Sequence, residues 1–125
     1  MKTHNNFVLN FRNAMKTGTP LHFSTREFRG ITWINEVVEN LPHTLHLPGG
    51  VYNFGAENHQ NTYETAREYA GMLGWDANTM TIADKERFPD HVRNISISMK
   101  KAYDASDGKI QFKNTTEGLR AFNQL

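Results

Sequence analysis

At 125 residues the chain is one domain's worth of polypeptide, and although only 38% of it is apolar, eight Phe, two Trp and four Tyr supply large pieces for a core. A net charge of +1 gives no general attraction to nucleic acid or anionic membrane, and the lack of cysteine excludes a disulfide framework, a thiolate nucleophile and a Cys-based zinc site. No run approaches the ~18 apolar residues of a membrane span, and Met1-Lys2-Thr3-His4-Asn5-Asn6 lacks the apolar stretch of a secretory signal, so a cytoplasmic location is expected.

Residues 5–17 read as a first helix, with Asn5 or Asn6 as cap and Phe7, Val8, Phe11, Ala14 and Met15 as an apolar stripe. Gly18 and Pro20 stop it, and Leu21, His22 and Phe23 make a short strand. Arg26-Glu27-Phe28-Arg29-Gly30 reads as a charged turn into the extended Ile31-Thr32-Trp33-Ile34. Val37, Val38 and Leu41 continue as a helix up to Pro42. Val51, Tyr52 and Phe54 are strand formers bounded by Gly49-Gly50 and Gly55. Asn61 with Glu64 opens a helix through a capping box; Tyr63, Ala66, Ala70 and Leu73 share a face, and Gly74 closes it.

Further on, Met80 and Ile82, with Thr79 and Thr81, suggest a strand closed by Asp84. Residues 85–93 form a charged loop broken by Pro89, and Ile95 and Ile97 alternate with polar neighbours. Ser98 is the cap candidate for a helix carrying Met99, Ala102 and Tyr103. Ile110 and Phe112 alternate before Asn114-x-x-Glu117, which opens a last helix around Leu119 and Phe122. Short strands alternating with helices predict a mixed α/β (α+β) domain over residues 1–125, with about five helices and no complete Rossmann sheet.

Complete catalytic machinery is not found. His43-x-x-His46 lies between Pro42 and Pro48 with no third ligand at matching spacing, so two surface histidines is the better reading. Ser24, Ser96, Ser98 and Ser106 lack the glycines of a nucleophile elbow. The nine glycines form no G-x-G-x-x-G turn, and no tyrosine is followed four residues later by lysine. What remains is a set of loop arginines. Arg29 precedes an apolar run, and Arg87 and Arg93 flank Pro89-Asp90. A planar guanidinium suits phosphate because it binds two oxygens at once, whereas the bland alternative is a few solvated surface charges.

Several segments in order carry a resemblance. They are Asn5-Asn6-Phe7-Val8, Gly18-Thr19-Pro20-Leu21, Phe28-Arg29-Gly30-Ile31-Thr32-Trp33-Ile34, Val51-Tyr52-Asn53-Phe54-Gly55, Arg87-Phe88-Pro89-Asp90, and Lys109-Ile110-Gln111-Phe112 before Glu117-Gly118-Leu119. With these, the chain resembles, over nearly its whole length, the C-terminal substrate-binding part of extended short-chain dehydrogenases acting on nucleotide sugars. The nearest is the dTDP-4-dehydrorhamnose reductase family. The resemblance implies that Asn6, Arg29 and Arg87 approach the diphosphate of a nucleotide sugar, that Asp90 lies by the ribose, and that Arg93 is a further contact. It leaves the sugar open.

The family's cofactor lobe, with its glycine-rich turn and Tyr-x-x-x-Lys pair, would precede residue 1. Two expectations follow. In the first, the chain is a substrate-binding lobe that holds no cofactor itself, with NAD(P)H bound only by a separate cofactor-lobe protein, and that is inactive alone. In the second, it is a structural or interaction domain. In the resembled family the helix at 33–41 and the strand at 51–54 pack on the cofactor lobe. Without it two copies would cover each other by strand pairing or by exchanging elements, so a homo-oligomer is expected, a dimer first.

Overall fold

The computed structural model describes residues 6–125. Among them the order is α1 (Phe7–Thr17), β1 (Leu21–Ser24), β2 (Glu27–Phe28), α2 (Ile34–Asn40), a 3₁₀ stretch (Leu41–His46), α3 (Thr62–Met72), α4 (Ala77–Met80), β3 (Thr81–Asp84), β4 (Arg93–Asn94), α5 (Lys100–Ala105) and α6 (Thr115–Asn123). This is a mixed α/β fold of small parallel sheets with no closed sheet. The described helices number six rather than about five, the extra one being the single turn α4.

Helix ends follow the local chemistry. Asn6 Oδ1 accepts from the Leu9 amide at 2.9 Å, and Gly18, at φ 68°, donates its N–H to Ala14. The Asn5 alternative for that cap lies outside the described residues. Asn61/Glu64 and Asn114/Glu117 both form complete capping boxes. After α3, Gly74 at φ 78° lets Trp75 N–H reach back to the Ala70 carbonyl and its own N–H to Gly71, a Schellman closure.

The main core joins α1, α3 and α6. Phe7, Phe11, Ala66, Tyr69, Ala70 and Leu119 are buried together, and Phe23 and Trp75 pack on them. Phe11 meets the Tyr69 ring edge-on at 5.0 Å, while Met15 of the expected stripe is exposed. A second cluster forms around Met99, Ala102 and Ile110, closed by Phe54 against Phe112 at 4.9 Å.

Five local expectations are corrected. The segment 26–30 is not simply a turn, because Glu27–Phe28 pairs in parallel with Arg93–Asn94. Thr79 and Met80 end a helical turn, so the strand begins at Thr81. Among the described residues Val51–Phe54 finds no strand partner, Val51 being 86% exposed. Met99 rather than Ser98 is the N-cap of α5, although Ser98 Oγ still accepts from the Lys100 amide at 3.3 Å.

The fifth correction concerns α2, whose amphipathicity is inverted. Its buried residues are Glu36 and Asn40, whereas Ile34 and Val38 face outward with Leu41 and Leu45 beyond them. The Asn40 amide accepts from Gln111 N–H at 2.9 Å and donates to Gln111 O at 2.9 Å; Glu36 Oε1 accepts from Lys113 N–H at 3.0 Å. Two polar side chains at i and i+4 thus satisfy the backbone of 111–113, a task an apolar stripe could not perform.

Candidate functional site

The site grows out of an interruption in the strand pairing. β1 runs parallel to β3 from Leu21↔Thr81 to Ser24↔Asp84, and pairing resumes at Glu27↔Arg93. Between these points one chain spends only Thr25 and Arg26, while the other makes the excursion 85–92. The junction is stitched on both sides. Thr25 N–H donates to Asp84 O at 3.4 Å, and Arg93 N–H donates to Arg26 O at 2.9 Å. The excursion is therefore thrown outward at one fixed place.

The loop is then shaped by side chains. Asp84 Oδ1 accepts from the Glu86 and Arg87 amides at 3.1 and 3.0 Å, a turn that suits a short carboxylate. Arg26 Nη1 donates to Pro89 O at 2.9 Å. Phe88 has φ 62°, which a bulky residue rarely adopts. Its ring is flanked by the guanidiniums of Arg87 and Arg93, 5.3 and 5.7 Å from the ring centre, and by His91 at 5.6 Å. Cation–π attraction of about 0.5–1 kcal/mol at such exposed sites helps to hold that conformation.

Facing the loop is the start of α1. Asn6, Asn10, His22, Glu27, Arg29 and Arg87 line a polar cavity of about 150 Å³. Asn6 and Arg29 also line an adjoining open groove of about 470 Å³, with Gly30, Thr32, Ile95 and Ile97 among its walls. The wall segment 30–32 is lashed in place: Thr115 Oγ1 accepts from Ile31 N–H at 3.0 Å, and Thr32 Oγ1 accepts from Ala56 N–H at 2.9 Å. Gly30 is required at the closest approach, since a Cβ there would run into the Ala56 carbonyl oxygen.

Of the residues singled out from sequence, Asn6, Arg29 and Arg87 come together around the smaller cavity. Arg93 joins them indirectly, through Phe88 and through Glu27. Asp90 is exposed on the excursion and lines neither cavity. Glu27 was missed. Its side chain is only 5% exposed, with Oε1 3.6 Å from Arg29 Nε and Oε2 3.5 Å from Arg93 Nη1. The signal available in sequence was an acid set between Arg26 and Arg29.

Chemically, the arrangement presents two guanidiniums, Arg29 and Arg87, and a capped helix start to one small cavity, with a partly apolar groove alongside. Such donors bind an oxyanion. Among the described residues no three His, Asp or Glu side chains converge as metal ligands, and no helix is long and apolar enough to cross a membrane. The comparisons with protein-family models, with curated proteins and with solved structures give no match to this chain.

Proposed function

We propose that this chain is a substrate-binding lobe of the dTDP-4-dehydrorhamnose reductase type, which binds a nucleotide-diphosphate sugar for NAD(P)-dependent reduction. The observation that carries the reading is the convergence of Asn6, Arg29 and Arg87 on one cavity from three separate parts of the chain. Arg29 and Arg87 grip the diphosphate, the Asn6 end of α1 faces it, and the adjoining groove takes the attached sugar or base. Asp90 is assigned to the ribose side, and Arg93 is kept as a further contact, on the resemblance alone.

Hydride transfer lies beyond these residues. The chain has neither the glycine-rich turn nor the Tyr-x-x-x-Lys pair, so it does not fit a dinucleotide, and the nicotinamide and proton donor belong to a cofactor lobe. Isothermal titration of dTDP and UDP sugars into the protein tests the reading. Heat at sub-millimolar ligand is expected; none from either at millimolar concentration would remove it. NADPH turnover by this chain alone would contradict the assignment of chemistry to another lobe.

A second reading draws on a different observation. Ile34, Val38, Leu41 and Leu45 lie outward along α2 and the 3₁₀ stretch, and Leu45 is 80% exposed. In this reading the chain is a non-catalytic interaction domain that homo-oligomerises through that face, which a cofactor lobe would otherwise cover. Light scattering at high protein concentration tests it: a clean monomer mass counts against self-association.

A further inference from the structure

The arginine cluster has an acid at its centre. Glu27 bridges two guanidiniums with different oxygens, Oε1 toward Arg29 and Oε2 toward Arg93. Its backbone is fixed by the β2–β4 pairing, which sets Glu27 opposite Arg93, and the next rung, Ile95 N–H to Phe28 O at 2.9 Å, locks that register. The two arginine side chains are both 47% exposed, so each would otherwise sample many rotamers.

We propose that Glu27 is a positioning residue of this site, a buried carboxylate that holds Arg29 aimed at a diphosphate in the cavity, with Arg93 as its second ion-pair partner. The inference rests on the nucleotide-diphosphate reading above. A guanidinium carries five N–H donors, so a contact to Glu27 through Nε or one Nη leaves others for a ligand. Fixing the fork beforehand removes part of the ordering cost that binding would otherwise incur. Three guanidiniums against one carboxylate still leave a cationic site.

Two simpler roles for Glu27 make different forecasts. If it only offset positive charge, neutralising it would strengthen anion binding, because a repulsive charge beside the ligand is gone. If it only held the fold together, neutralising it would lower stability and leave the affinity of the folded protein unchanged. Positioning alone makes removal of a negative charge weaken the binding of a negative ligand.

The experiment titrates UDP and inorganic pyrophosphate into the wild-type chain, Glu27→Gln and Glu27→Asp, with thermal unfolding recorded for each. The Gln variant should bind on the order of tenfold more weakly, the loss of about 1.4 kcal/mol of ligand affinity, with the Asp variant between. Equal or tighter binding by folded Glu27→Gln overturns the positioning role. The wild type also supplies a readout that needs no variant. The Nε–H signal of Arg29, the atom that faces Glu27 Oε1, should exchange with water more slowly than that of exposed Arg120, and equal rates overturn the proposal. No heat from the wild type with either probe removes the diphosphate reading itself, whereas wild-type heat without weakening in the Gln variant removes only the role of Glu27.

Discussion

Replacing Asn40 by alanine tests the polar face of α2 directly. The Asn40 amide is buried and makes three bonds, donating to Glu36 O at 2.8 Å and Gln111 O at 2.9 Å and accepting from Gln111 N–H at 2.9 Å. Truncation removes all three and strands both backbone groups of Gln111. Each such bond is worth about 0.5–1.5 kcal/mol net, and a group left dry costs about 1–3 kcal/mol. Gln111 lies at the surface, where water can replace part of the loss, so a destabilisation of about 2 kcal/mol is expected. In a domain of this size that lowers Tm by about 6–10 °C. Urea unfolding followed by circular dichroism reads the change, with m unaltered if the denatured state is unaffected. Asn40→Asp should be at least as damaging, because its second oxygen would face the Glu36 and Gln111 carbonyls. If Asn40→Ala and Asn40→Leu both cost under about 0.5 kcal/mol, the pairing of α2 with segment 111–113 is not what holds the helix, and the reasoning fails.

Other outcomes follow from the same packing. Burial raises the Tyr69 pKa, opposed by nearby Arg12, so the folded state holds that proton above the usual tyrosine value. The unfolded chain then loses its proton first, and stability present below about pH 10 should fall as pH rises beyond it; Tyr69→Phe should shrink that alkaline loss in unfolding measured from pH 8 upward. Gly30→Ala should push segment 29–31 off Ala56, costing about 1–3 kcal/mol as overpacking does, and a stability unchanged in thermal melts would disprove the close approach. Asn61→Ala should cost about 1 kcal/mol through loss of the α3 cap, with a smaller loss for Asn61→Asp in the same melts.

The parts of the fold that were legible were those in which one residue's chemistry decides the local outcome. Asn61 with Glu64, Asn114 with Glu117, Gly18 and Gly74 each mark an end that the structure keeps. What sequence periodicity misread was decided by distant partners. Glu27–Phe28 is too short to show alternation, and it becomes a strand only because Arg93–Asn94 reaches it from far along the chain. Val51, Tyr52 and Phe54 have the composition of a strand and no partner among the described residues, so propensity alone did not make one. In α2 the apolar residues were visible but their direction was not, because the backbone of 111–113 demanded polar partners.

The site divides in the same way. Arg29, Arg87 and Arg93 stood out as cations in loops, and Asn5 or Asn6 as a helix cap, from side-chain chemistry alone; the choice of Asn6 came with the resemblance. That they face one cavity depends on the excursion 85–92, which arises where two separate strand pairings meet. Glu27 belongs to the site only through that same junction.

The most direct measurement compares the wild-type chain with the Arg29→Glu/Arg87→Glu double variant by isothermal titration of UDP and dTDP sugars, with molecular mass measured on both. If these arginines form the diphosphate site, the wild type gives heat, and the variant gives none while keeping its fold and mass. Undiminished heat from a folded double variant would contradict the site, and loss of an oligomer together with binding would move those residues from a ligand site to an interface.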